Sequence, residues 1–258
     1  MSGLVATLKK IFQRKKPIPL ACSMSLENDE GHVHTGACFV DIQPLTTVEL
    51  FQSQGCQSCP PAIPAIHESI KNDPNLLLLT YNVTYFDHMG WTDTFGKRQW
   101  DQRQRAYVQK WGRNNIFTPQ VIADGIADGT GAGQNEVNNI VSAARGVRSS
   151  MPWRIIVDTN DTELRIDSDL PHADPHDILL IMYDPKPETV KIKKAVNKGK
   201  KIEHRNVVTG ISKIGEWVGG NLTMPLPDAA MRGGHGNLEI VAVVQAGNGG
   251  PILASQKL

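Results

Sequence analysis

The residues of this chain that are best placed to do chemistry are two cysteines separated by two residues, Cys56 and Cys59. A strand-like run, residues 46–51, precedes them, and Pro60 and Pro61 follow where proline suits the first turn of a helix. A cysteine at the N-terminus of a helix meets unpaired backbone N–H groups and the positive end of the helix dipole, and both favour the thiolate. We therefore predict that Cys56 attacks a partner disulfide and that Cys59 resolves the mixed disulfide.

A second element of the predicted site is Pro119, which begins a later strand. Strand, C-x-x-C, helix, strand, helix and a strand that begins with proline is the order of thioredoxin-like folds. In that arrangement we expect a cis Thr118-Pro119 bond opposite the cysteines, presenting a backbone edge to a bound chain. The predicted catalytic residues of this thiol-disulfide oxidoreductase are Cys56, Cys59 and Pro119. We expect a disulfide-bearing protein or a small thiol as substrate, a thioredoxin- or glutathione-linked electron source, and no bound organic cofactor.

Other interpretations of the cysteine pair remain open. In a metal-binding module, Cys56 and Cys59 would hold copper or zinc, and a copper site would add a distant histidine, for which His67 and His88 are available. In a protein-interaction module, the pair would be an idle redox centre. The two cysteines could also form a static disulfide or be ordinary buried residues.

Two further groups of residues have a chemical interpretation. Cys22 and Cys38, with His32 and His34 between them, contain the ligand types of a zinc site, but their spacing fits no standard finger. A second disulfide or free thiols explain these two cysteines better. Glu49, on the strand before the cysteines, is either a buried proton carrier or an exposed strand residue, and we favour the exposed residue.

The N-terminal half alternates strands and helices. Residues 75–83 are apolar on both faces, which is typical of a central strand covered on both sides. Helical spacing of Ile63, Ile66 and Ile70 before this strand indicates a βαβ unit. Further elements are predicted as a helix over residues 97–111, a strand over residues 118–123, turns at residues 124–125 and 128–129, and a helix from Val137 that ends at Gly146.

Beyond Pro152 the helical periodicity stops and short strands follow. Their number and their Asn, Asp and Gly turns predict an antiparallel β-sandwich or barrel. We therefore predict an α/β plus all-β protein, a thioredoxin-like domain followed by an antiparallel β-sandwich-like domain. Its divisions are an N-terminal extension (1–44), the thioredoxin-like domain (45–150) and the β-rich domain (151–258). The predicted strands are residues 153–157, 163–166, 178–183, 189–193, 205–211, 214–218 and 238–245.

The charge balance limits the classes of partner. With 27 basic and 26 acidic residues, the net charge of +1 provides no global field that would attract nucleic acid or an anionic membrane. No stretch approaches the roughly 18–20 apolar residues that a membrane span needs. We expect a soluble protein with no nucleic acid partner and no integral membrane contact. Residues 186–205 hold eight Lys or Arg against two Glu, which favours an exposed edge strand over a site for an acidic partner.

The chain termini bear on localisation. Five basic residues between Lys9 and Lys16 resemble the start of an export signal, but Pro17 and Pro19 interrupt the apolar run that should follow. We therefore expect an intracellular, cytoplasmic protein. Its last three residues, 256–258, read Gln-Lys-Leu and differ by one residue from the peroxisomal address Ser-Lys-Leu.

Six segments together resemble a known family. Residues 48–62, which contain both cysteines, strongly resemble the signature of the DUF1223 family, thioredoxin-like proteins of bacteria, plants and fungi. The resemblance extends over about residues 45–255. The other similar segments are residues 87–93, 102–107, 117–121, 204–208 and 249–253.

The resemblance implies a fold more than an activity. It implies a thioredoxin-like N-terminal domain and a β-rich C-terminal domain, while the activity of the family is not established and many bacterial members look secreted. The family usually shows His-Val-Asp after the second strand, where this chain has Asn82-Val83-Thr84. No acid, base or ligand role of that His and Asp therefore carries over to this chain.

Overall fold

The computed structural model describes residues 44–160, 162–227 and 237–258. The described chain has a mixed α/β fold, with one eight-stranded sheet, three helices and two small antiparallel sheets. The helices are α1 (Cys59–Ile70), α2 (Arg98–Lys110) and α3 (Gln134–Ser149). The strands are β1 (Thr46–Gln52), β2 (Leu76–Asn82), β3 (Gln120–Ala123), β4 (Ala127–Gly129), β5 (Ile155–Thr159), β6 (Glu163–Ser168), β7 (His176–Asp184), β8 (Glu188–Lys191), β9 (Lys201–His204), β10 (Val207–Trp217), β11 (Leu222–Pro225), β12 (Glu239–Gln245) and β13 (Ile252–Lys257).

The large sheet has the strand order β13-β12-β7-β10-β2-β1-β3-β4. Strand β2 is parallel to β1 on one side and to β10 on the other, and the remaining neighbours pair antiparallel. Strands from the two halves of the chain thus form one sheet, which crosses the predicted boundary near residue 150. The junction is short, with Val207 of β10 opposite Thr80 of β2.

Strand β1 is buried on both faces, since helices pack against each side of the sheet. Val48 and Leu50 pack with residues of α1 and α3 in one core cluster. Phe51 points to the opposite face, where it packs with Trp100 and Tyr107 of α2. This alternation follows from the period of two in a strand. The loop that leaves β1 is consequently held on a rigid, central strand.

The C-terminal strands build a second layer. Sheet β11-β6-β5 packs through Leu164 and Ile166 against Ile178 of β7 and Val244 of β12, on the sheet face opposite α2. The predicted strands at residues 205–211 and 214–218 are a single strand, β10. Their apparent separation comes from two irregularities in its pairing with β7, which occur next to glycines and interrupt the alternation of side chains.

The predicted order of elements in the N-terminal half is confirmed. β1, α1, β2, α2, β3 and α3 follow one another as the sequence indicates, whereas residues 128–129, predicted as a turn, lie in strand β4. One boundary was wrong, because α3 continues through Gly146 to Ser149. A Cβ at Gly146 would meet nothing within 4 Å, so this glycine is an exposed helical residue and not a C-cap.

One prediction concerns residues outside the described part. The possible zinc ligands Cys22, His32, His34 and Cys38 all lie in residues 1–43, for which no placement is given. Within the described residues, no helix combines the length and the apolar character that crossing a bilayer requires.

Candidate active site

The loop between β1 and α1 places both cysteines at the N-terminus of α1. Cys59 is the first residue of this helix, and its first turn contains prolines and no acidic residue. The backbone N–H of Cys56 donates to Ser53 O (3.1 Å), which closes a turn before the helix. Gly55 permits this turn because a Cβ there would lie only 3.0 Å from the Cβ of Phe86. The predicted position of the pair, between a strand and a helix that begins with proline, is confirmed.

The two thiols are free and differ in their protonation chemistry. A hydrogen bond from the Cys59 thiol is the largest cause that lowers the pKa of Cys56 from 9.0 to about 6. Burial opposes this effect, and the backbone N–H groups of Ser58 and Cys59 support it. Burial, followed by the hydrogen bond and charge of Cys56, raises the pKa of Cys59 well above its ordinary value. The arrangement therefore favours one thiolate, at Cys56, and one thiol, at Cys59.

The Thr118-Pro119 bond is cis, which confirms that part of the prediction. When Cys56 is protonated, its thiol donates to Thr118 O, with 3.4 Å between the sulfur and the oxygen. The hydroxyl of Thr118 also lowers the pKa of Cys56. This hydroxyl is buried and has no hydrogen-bond partner within the described residues, so it is free to donate to the thiolate. The residue before Pro119 thus contacts the reactive sulfur in either protonation state.

A hairpin from the distant C-terminal half covers the cysteines. We call β8, residues 192–200 and β9 together the covering hairpin. Its residues Ile192 and Ile202 pack in one cluster with Cys56, Cys59 and Ile63. Cys56 is 4% exposed and Cys59 is fully buried. In this closed arrangement the sulfur of Cys56 is almost out of reach of solvent.

Asn197, in the turn of the covering hairpin, fastens this cover to the cysteine loop. Its side-chain amide donates to Cys56 O (2.7 Å) and to Gln54 O (2.9 Å). The side chain is fully buried, so both carbonyls are satisfied by Asn197 away from water. Gln57 and Ser58, between the two cysteines, remain exposed. The cover therefore lies over the sulfurs and leaves the outer edge of the loop open.

Gln54 and Asp93 hold the other side of the loop. The carboxylate of Asp93 accepts from the backbone N–H of Gln54 (2.7 Å) and from the side chain of Asn82. The amide oxygen of Gln54 accepts from Trp91 Nε1 (2.8 Å) and from Thr94. Burial raises the pKa of Asp93 against these hydrogen bonds. Asn82 is thus a structural link between β2 and the loop that contains Asp93.

One buried histidine contacts the covering hairpin and a second belongs to it. His67, on α1, is 3.7 Å from Glu203 of β9, and burial lowers its pKa to about 4. Burial likewise lowers the pKa of His204 to about 4, and its ring is 3.4 Å from the side-chain amide nitrogen of Gln54. His88 is exposed. In the described part of the chain, no three His, Cys, Asp or Glu side chains are grouped so that they could hold a metal ion.

The preference for an exposed Glu49 was wrong. Glu49 is fully buried between β1 and α2, where Arg103 Nε donates to its carboxylate (2.7 Å). Tyr107 donates to the other carboxylate oxygen, and Gln245 donates to Tyr107. The strand pattern suggested exposure because the partners come from α2 and β12, far away in the sequence. Glu49 belongs to a structural network and does not contact either cysteine in the described hydrogen bonds.

The structure brings together Cys56, Cys59 and the residue before Pro119, as the sequence predicts. It also adds the covering hairpin, above all Asn197, which the sequence analysis interpreted only as a solvated basic edge. An amide residue in a turn is common for local reasons. No local feature of the sequence therefore distinguishes Asn197 from an ordinary turn residue.

Comparisons with known proteins identify the family of this chain and two similar structures. Residues 47–245 match the family described as "Protein of unknown function (DUF1223)". The crystal structure of protein AGR_C_4864 from Agrobacterium tumefaciens is similar with a TM-score of 0.65 and 26% identity, over 84% of this chain and 95% of that one. HBP35 of Porphyromonas gingivalis shares the fold, with a TM-score of 0.51 and 11% identity over 83% and 74% of the two chains. No protein of curated function shows significant similarity to the sequence.

Proposed function

Because this chain belongs to the DUF1223 family, whose function is unknown, we propose its function from the site itself: thiol-disulfide exchange by Cys56 and Cys59. The observation that carries the proposal is the pair of free thiols at the N-terminus of α1, beside the cis Thr118-Pro119 bond. In this position the hydrogen bond from Cys59 lowers the pKa of Cys56 to about 6, and burial raises that of Cys59. At neutral pH such a pair supplies a nucleophilic thiolate and a neighbouring proton donor. The position of the pair, after β1 and beside a cis X-Pro bond, supports a thioredoxin-like site.

The reaction conserves atoms and electrons in two steps. The thiolate of Cys56 attacks one sulfur of the substrate disulfide, a mixed disulfide forms, and the departing thiolate takes a proton. Cys59, after losing its proton, attacks Cys56 and releases the second substrate thiol. The substrate disulfide gains two electrons, and Cys56 and Cys59 end as a disulfide. An external thiol or dithiol must then reduce this disulfide to restore the starting state.

Access to Cys56 requires movement of the covering hairpin. The hairpin contacts the site through a limited set of side chains: Val190, Ile192 and Ile202, the two hydrogen bonds of Asn197, Glu203 near His67, and His204 near Gln54. The hairpin pairs only with itself and forms a separate two-stranded sheet. Because isolated hairpins are marginally stable, this element is suited to opening while the large sheet stays intact.

A trapping experiment tests the proposed function. The Cys59→Ser variant keeps a hydroxyl that can donate to Cys56 but cannot resolve a mixed disulfide. When it is treated with the neutral hydroxyethyl disulfide at pH 7, we expect one equivalent of adduct on Cys56, measured by intact mass. Wild type should form the internal disulfide instead.

The matched control is the Cys56→Ser variant, which retains the buried thiol of Cys59. It should react at least about tenfold more slowly, because a thiol of raised pKa supplies little thiolate at neutral pH. Equal adduct formation by both variants, or none by either, would contradict exchange chemistry and favour an idle or structural pair.

A further inference from the structure

The covering hairpin is the most strongly charged segment of the site. Residues 191–201 contain six lysines and no acidic residue. All six side chains are exposed, while Ile192 and Asn197, between them in the sequence, are buried. Ile192 and Ile202 pack on the cysteines while the lysines face solvent, so the hairpin has an apolar inner face and a basic outer face. We call these six residues the lysine cluster: Lys191, Lys193, Lys194, Lys198, Lys200 and Lys201.

The lysine cluster is linked directly to the cysteine loop. Lys200 Nζ donates to Asn197 Oδ1 (2.9 Å), and the amide of Asn197 donates to Cys56 O (2.7 Å). One ammonium group is therefore two hydrogen bonds from the backbone of the reactive cysteine. The two acidic residues of the hairpin do not cancel the cluster, since Glu203 pairs with Arg205 (2.6 Å) and Glu188 is a single charge against six.

The lysine cluster is local, because the whole chain carries a net charge of only +1. A localised patch beside a reactive group raises the local concentration of oppositely charged reactants and their association rate, by about 10 to 1,000 times in favourable cases. Lys200 supports Asn197 through its hydrogen bond, whereas the other five lysines are exposed and lie outside the apolar cluster that contains the cysteines. A substrate with negative charge would benefit most.

The cover also restricts substrate size. Ile192 precedes the turn and Ile202 lies on β9, so both arms of the hairpin reach the cysteine cluster. A folded protein would have to displace both arms to reach Cys56. A small molecule requires a smaller opening than a folded protein does. Burial of the sulfurs thus favours a small substrate over a folded one.

We propose that the substrate of this site is a small disulfide that carries carboxylate groups, recognised by the lysine cluster. This inference rests on the proposed exchange function, and it adds the substrate class. The carboxylates bind near the ammonium groups while the disulfide approaches Cys56 from the turn of the covering hairpin. The chemical step is the same balanced exchange described above.

The test uses three small disulfides of different charge. Glutathione disulfide is anionic, hydroxyethyl disulfide is neutral and cystamine is cationic. The variant replaces Lys193, Lys194 and Lys198 by Gln, which leaves the hydrogen bond from Lys200 to Asn197 in place. We expect the rate of Cys56 oxidation by glutathione disulfide to fall about tenfold in this variant. The rate with hydroxyethyl disulfide should be nearly unchanged, and the rate with cystamine should increase. Raising the salt concentration should likewise slow the oxidation of wild-type Cys56 by glutathione disulfide, because salt screens the lysine cluster.

The matched control replaces Lys71, Lys110 and Lys257 by Gln, which removes the same charge from other elements. Its rate with glutathione disulfide should stay within about twofold of wild type, since distant exposed charges are screened. The proposed substrate class is wrong if hydroxyethyl disulfide oxidises Cys56 but the rate with glutathione disulfide changes neither in the lysine cluster variant nor with salt. If no disulfide oxidises Cys56, the exchange function itself fails.

Discussion

Replacing Arg103 by Met is expected to lower the free energy of unfolding by about 3–5 kcal/mol, because it leaves a buried carboxylate without its charged partner. Arg103 is 7% exposed and its partner Glu49 is fully buried. The guanidinium also donates to Tyr107 (2.8 Å) and to Gln245 (3.2 Å), so several buried polar groups lose a partner together. Urea unfolding followed by tryptophan fluorescence measures the change.

Two further variants make this expectation specific. Arg113→Met removes an exposed ion pair with Asp128 and should cost less than about 1 kcal/mol. Replacing both Glu49 and Arg103 by Met should recover much of the loss, because an apolar pair of similar volume often substitutes for a buried ion pair. A loss below about 1 kcal/mol for Arg103→Met alone would contradict the structural role of this network.

Replacing Asn197 by Ala should open the covering hairpin and expose Cys56 to bulky reagents. The variant loses two hydrogen bonds to the cysteine loop and leaves Cys56 O and Gln54 O without this donor. At about 1 kcal/mol for each bond, the open state gains about tenfold or more in population. We therefore expect a bulky maleimide to modify Cys56 about ten times faster than in wild type, measured by intact mass at pH 7.

Comparing a large reagent with a small one distinguishes opening of the covering hairpin from a change in the pKa of Cys56. In the Asn197→Ala variant, the rate of Cys56 modification should increase less for iodoacetamide, which is small, than for the maleimide. Val196→Ala is the matched control, because Val196 lies in the same turn and is 48% exposed. An equal gain for both reagents, or the same gain in the control variant, would show that Asn197 does not hold the cover.

The cysteine loop could be predicted because its determinants are local. A strand of β-branched residues, two cysteines and two prolines follow one another within residues 46–61, so each step constrains the next. The helix dipole and the free N–H groups act on whatever side chain begins the helix. The Cys59 thiol and the N–H groups of Ser58 and Cys59, which lower the pKa of Cys56, belong to this short stretch, whereas Thr118 does not. Pro119 was identified for a similar reason, since a proline at the start of a strand is visible in isolation.

The covering hairpin and the Glu49 network could not be predicted in this way. Asn197 lies about 140 residues from the cysteine loop that it contacts, and Arg103 lies 54 residues from Glu49. Buried polar groups are stable only with partners, and those partners come from other elements. A single sequence shows that a polar residue is present, but it does not show which distant side chain satisfies it. The joining of both halves in one sheet depends likewise on the pairing of β10 with β2.

The central claim is that Cys56 is a thiolate at neutral pH. The most direct measurement is the rate at which iodoacetamide reacts with Cys56 across the pH range, after subtraction of the rate measured for the Cys56→Ser variant. Because the thiolate is the reactive form, the rate should rise with pH and level off above a midpoint of about 6. A midpoint near the ordinary value of 9.0 would contradict the account, since Cys56 would then be almost entirely a thiol at neutral pH.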